Sequence, residues 1–149
     1  MSKMIRRKLL STLCIGAMMT VQATELKLNI SKIDTKKGGD IRVYVFVGKD
    51  GYPKVHEKAL LSQKKRATSE SLKFTFKVDN TVDELAIKVF HDEDGNGKVS
   101  KNWTGVYPKE GLGFSNKQKL GTFGPPSYEK SKVSKKEFSK TLNISLLYP

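Results

Sequence analysis

Hydrophobic and polar residues alternate with a period of two wherever the chain is regular, so the pattern predicts strands rather than helices. Leu26, Leu28 and Ile30 alternate with Lys27, Asn29 and Ser31, giving a strand with one buried and one wet face. After the turn signal Lys36-Lys37-Gly38-Gly39-Asp40, the run Ile41–Val47 sets Val43, Val45 and Val47 on one side. Arg42, Tyr44 and Phe46 fall on its other side, the pattern of a strand covered on both faces. Leu72–Val78 alternates cleanly, Leu85, Ile87 and Val89 do so before Phe90-His91-Asp92, and Leu142–Leu146 supplies a last strand.

Weaker strands are expected near Gln63–Thr68 and Lys130–Val133, with a single helical turn over Glu57–Ser62. About seven strands separated by turn chemistry, with no long 3.6-residue period, predict an all-β fold. The expected architecture is an antiparallel β-sandwich, immunoglobulin- or prealbumin-like, forming one domain over residues 24–149. His91–Glu129 breaks the pattern, being rich in Gly, Pro, Asn and aromatics and without periodicity. Aperiodic segments of that length are uncommon in compact domains and are usually functional or wrongly assigned.

That segment opens on the residues richest in chemistry. Asp92, Asp94 and Asn96 occupy positions 1, 3 and 5 of an EF-type calcium loop, and Gly97 falls at position 6, where the chain turns sharply. Lys98 would offer its backbone carbonyl, Val99 sits at the hydrophobic position, and Ser100 would ligate directly or through water. Trp103 stands where a bidentate Glu belongs, and a strand rather than a helix leads in, so this is no EF-hand. The missing ligand is expected from Glu110, with Asn102 as a neutral alternative. Asp, Asn and Gly also build ion-free turns through Asx hydrogen bonds and positive φ, the competing reading of the same residues. With two or three carboxylates the expected calcium affinity is weak, about 10⁻⁴–10⁻³ M.

The N-terminus adds an address. Lys3, Arg6, Arg7 and Lys8 precede an apolar run, Leu9–Val21, too short to span a bilayer, and Val21-Gln22-Ala23 offers a cleavage site. Residues 1–23 therefore read as a secretory signal peptide and the mature product as periplasmic or secreted, with no transmembrane segment. Cys14 would leave with it, so the mature domain is expected to be held by its core alone. The full chain carries a formal net charge of +13, which makes it a basic protein. A solvated lysine surface accounts for that charge; attraction to anionic envelope polymers or glycans is the alternative. Nucleic acid is not expected as a partner, because the chain reads as exported and carries no nucleic-acid-binding motif.

Catalysis is not expected. His91 and His56 are the only histidines, and no Gly-x-Ser-x-Gly nucleophile motif is present. Trp103, Tyr107, Phe114, Phe123 and Tyr128 would either pack the long segment onto the sandwich or form a stacking platform for sugars.

Several spaced motifs point to a known family. They are Gly51-Tyr52-Pro53 with Lys58-Ala59-Leu60, then Val89-Phe90-His91-Asp92 with Gly95-Asn96-Gly97-Lys98. Gly105, Pro108, Glu110-Gly111, Gly113-Phe114-Ser115-Asn116 and Phe123-Gly124-Pro125-Pro126-Ser127-Tyr128 follow in order. In these the chain resembles the bacterial exported family called domain of unknown function 2141, over nearly all of residues 24–149. The resemblance implies a periplasmic or secreted β-sandwich and no assigned activity. Asp94 stands where Asn is more usual in that family and Ser100 where Asp is common, so the ligand charge is about unchanged. The function expected is that of a non-enzymatic structural or binding module of the cell envelope with a calcium-type loop. The alternative is a carbohydrate or polyanion binder.

Overall fold

The alternating strands pair into two sheets, as seen in a computed structural model that describes residues 22–149. All of the segment read as a signal peptide except Gln22 and Ala23 lies outside the described residues. The smaller sheet has the order β4-β1-β8, formed by Ser71–Asp79, Ala23–Ser31 and Leu142–Ser145. The larger runs β3-β2-β5-β6, formed by Leu61–Arg66, Asp40–Phe46, Glu84–Asp92 and Leu112–Phe114, with the short β7 (Val133–Ser134) also on β5. Eight strands are thus present among the described residues, in the expected sandwich.

The two sheets close on each other because each contributes one apolar face. Leu26, Leu28 and Ile30 of β1 and Phe74, Phe76 and Val78 of β4 meet Ile41, Val43 and Val45 of β2 and Leu85, Ile87 and Val89 of β5. Every one of these is nearly or fully buried. One pairing departs from the antiparallel expectation: β8 lies parallel to β1, with Leu28 opposite Leu142 and Ile30 opposite Ile144. Parallel neighbours need a long connection, and here almost the whole domain lies between the two strands.

β5 is buried on both faces, and its register assigns each face. Val43 lies opposite Val89 and Ile41 opposite His91, on the core side. Arg42 lies opposite Phe90, Tyr44 opposite Lys88 and Asp40 opposite Asp92, on the outer side. Strand β6 adds Leu112 beside Phe90 and Phe114 beside Lys88. Phe90, Leu112 and Phe114 thereby form a second apolar cluster, joined by Tyr44, Tyr52, Val99 and Leu120.

Smaller expectations need correction. β6 lies inside the segment read as aperiodic; three residues, Leu-Gly-Phe, are too few to show a period. The helical turn is a 3₁₀ turn at His56–Lys58, and Leu61 already belongs to β3. Near Lys130 the chain makes a helical turn, α1 (Tyr128–Ser131), before the two residues of β7. Among the described residues no helix is long and apolar enough to cross a membrane.

Candidate functional site

Asp92 ends β5 on its outer face and is wholly buried. Arg42, one position further along the same face of β2, donates its Nε–H to Asp92 Oδ2 at 2.6 Å. The chain then curls back on itself. Gly97 takes φ +75°, a left-handed conformation that a side chain would strain, and its N–H returns to Asp92 Oδ2 at 3.1 Å. A second glycine permits the approach from below: Gly39, at φ +70°, packs so closely on the Asp92 carbonyl that no Cβ would fit.

Between these points the loop is a run of Asx turns. Asp94 Oδ1 accepts the Asn96 N–H at 3.1 Å, and Asn96 Oδ1 accepts the Lys98 N–H at 2.7 Å. Asp94 Oδ2 accepts from Asn96 Nδ2 at 2.8 Å and from the Ser100 hydroxyl at 2.7 Å. These hydrogen bonds hold the Asp94 carboxyl below its usual range, led by the one from Ser100.

Glu110 arrives from the far end of the segment and is 2% exposed. Its Oε1 accepts the Glu93 N–H at 2.9 Å and its Oε2 the Ser100 N–H at 2.8 Å, so one carboxylate clamps both ends of the loop. Burial pushes its carboxyl above the usual range against the pull of those two N–H groups, and the nearby charges of Asp94 and Asp92 push the same way. Asn102, the alternative to Glu110, is elsewhere: its side-chain oxygen accepts from Thr104, Val106 and Tyr107 and caps the turn beyond the loop.

The outcome is that Asp92, Asp94 and Glu110 each place a carboxylate oxygen within 4.8 Å of the others. Asn96 and Ser100 are tied to Asp94, and Lys98 lines a neighbouring cleft. Asp92 Oδ1 is buried with no hydrogen-bond partner. A buried carboxylate oxygen without a donor is costly in a protein interior. The donor set contains only oxygen, the chemistry of a hard divalent cation.

The histidines take separate roles. His91 is on the core side with both ring nitrogens engaged, Nε2 by the Gly38 carbonyl and Nδ1 by Tyr148 Oη at 2.8 Å. Tyr148 Oη in turn accepts the Asp34 N–H at 2.9 Å, so this network braces the chain end against the Gly38 turn. His56 stacks on Tyr44 with ring centroids 4.2 Å apart. Its Nε2 lies 2.7 Å from Lys88 Nζ.

Lys88 is the residue that sequence reasoning passed over. It is 6% exposed and donates to the Pro53 carbonyl at 2.9 Å. It lies on the floor of a cleft of about 940 Å³ between the outer face of the larger sheet and the long segment. Its position between Ala86 and Phe90 on an outer face was the available signal. The loop aromatics divide: Phe114 and Tyr128 are buried as packing residues, whereas Trp103 and Phe123 are fully exposed and Tyr107 is half-exposed.

Fold and site together define a two-sheet, all-β protein with an acidic cluster built onto the outer face of one sheet. The chain belongs to the bacterial family described as "Uncharacterized protein conserved in bacteria (DUF2141)", whose model matches residues 28–143. No curated protein and no solved structure gave a match.

Proposed function

We propose that this protein is a calcium-dependent structural or binding module of the bacterial cell envelope, without catalytic activity, in which Asp92, Asp94 and Glu110 hold the ion. The observation that carries the reading is the buried, unpartnered Asp92 Oδ1 beside two further carboxylates. A cation there would satisfy that oxygen and offset the mutual repulsion of the three acids. Ser100 and Asn96 would complete the shell by releasing Asp94, and the Lys98 carbonyl is the backbone ligand that the loop pattern assigns. Because Glu110 bonds both Glu93 and Ser100, an ion held by it would fasten the start of the long segment to its middle.

Export to the periplasm or beyond follows from the residues 1–23 pattern, and cleavage after Ala23 leaves β1 from Thr24 onward. A site of about 10⁻⁴–10⁻³ M suits calcium concentrations outside a cytoplasm. Calorimetric titration should give one calcium per chain, with Asp94→Asn weakening it about tenfold and magnesium binding more weakly. Absence of calcium binding to the wild type at millimolar concentration would refute the reading.

A second reading is favoured by the exposure of Trp103, Phe123 and Tyr107, which suits stacking on sugars or contact with an anionic envelope polymer. Loss of glycan retention in Trp103→Ala, with unchanged melting, would support it.

A further inference from the structure

The cleft over Lys88 is a different site from the acidic cluster, and its chemistry is the reverse. We propose that it binds a small organic acid with an apolar body, the acid group meeting the Lys88 ammonium on the cleft floor. Lysine side chains on sheets ordinarily run out along the surface until the charge reaches water. Lys88 does not: it is held inward by the Pro53 carbonyl and His56 Nε2, both uncharged acceptors. Among the described residues no carboxylate lies within ion-pair distance of it, and an ammonium has a third N–H to give. A buried cation without a counter-ion is costly, and burial pushes this one down to about 8.

The rest of the cleft fits the remainder of such a ligand. Val99, Leu112, Phe114 and Leu120 supply apolar wall. Around them Lys54, Lys98 and Lys101 face a single acid, Glu57, so the lining is positive overall and would draw an anion in. A volume of about 940 Å³ lies at the upper end of the range for small-molecule sites. A neutral apolar molecule would fill the walls and leave Lys88 unpaired.

The test compares two fluorescent probes of nearly the same shape, anilinonaphthalene sulfonate and the uncharged phenylnaphthylamine, on the full-length mature protein in millimolar calcium throughout. The wild type should bind the sulfonate at least about tenfold more tightly than the neutral probe. Decanoate should displace it and decanol should not. Lys88→Met should abolish the preference by weakening sulfonate binding while leaving the neutral probe unchanged. Leu120→Glu, which keeps Lys88 and places a carboxylate in a half-buried wall position, should also weaken the sulfonate. Wild type that takes both probes equally, or sulfonate binding untouched by either substitution, would overturn the proposal. Calcium is held constant because Asn96, Gly97 and Lys98 of the acidic loop line the cleft, so that probes and variants are compared with that loop in one state.

Discussion

On the inner face of the larger sheet, Ile41, Val43 and Val45 of β2 and Ile87 and Val89 of β5 meet the opposite sheet. His91 is the one polar side chain that these two strands turn inward; Gln63 and Lys65 follow only on the edge strand β3. On the outer face the same two strands carry Arg42, Tyr44, Lys88, Phe90 and Asp92, covered by a long segment instead of a sheet. Both faces are buried, yet only the outer one buries charges. The inner face answers to volume and shape, because apolar packing is non-directional. The outer face answers to partners, because a buried ammonium or carboxylate is stable only where donors, acceptors or counter-ions meet it. That difference locates the chemistry: a covering made of loop can bring polar atoms to meet buried charges, whereas a second sheet presents mainly apolar side chains.

The comparison is broken most severely from the inside. Ile87→Ala should cost about 2–5 kcal/mol in urea denaturation, and the loss should be the same with calcium or chelator present. Next comes the charge beneath the cleft. The folded-state ammonium of Lys88 is lowered from 10.5 to about 8 by burial, so between those values the unfolded chain binds the proton more tightly. Stability should therefore rise with pH from about 8 to 10.5, and the full penalty is carried below pH 8. Lys88→Met should raise stability at neutral pH by up to roughly 3 kcal/mol, a gain that vanishes near pH 10.5. His56 gives the acid-side counterpart. Burial first, then the neighbouring Lys88 charge, lowers its imidazole from 6.5 to about 4, so stability should fall as pH drops through that window.

Two smaller effects sharpen the contrast. Asp94→Asn should remove most of the response to calcium, read for each protein as the difference between its melts in calcium and in chelator. Trp103→Ala should shift stability by less than about 0.5 kcal/mol, since the ring is 94% exposed; any effect should appear in ligand retention instead.

The inner face was legible in the sequence because alternation records which residues avoid water. Leu26–Ile30, Leu72–Val78 and Leu85–Val89 all announced themselves that way. β6 did not, because three residues carry no period, and neither did the parallel docking of β8, which is settled by the distant end of the chain. The acidic loop was legible through the spacing of Asp92, Asp94, Asn96 and Gly97, and Glu110 was expected from its position as the nearest downstream acid. What spacing does not record is the clamp from Glu110 to the Glu93 and Ser100 amides, or the Arg42 contact to Asp92, since both are made across the fold. The same holds for Lys88 and His56, brought together from different elements 32 residues apart.

Thermal melting of residues 24–149 in calcium and in chelator tests the central claim, that the carboxylates of the outer face hold an ion which fastens the long segment. At ~20-fold excess over its dissociation constant, calcium should stabilise the wild type by about 1.8 kcal/mol, a rise of several degrees in Tm. An identical Tm in millimolar calcium and in chelator would contradict the account.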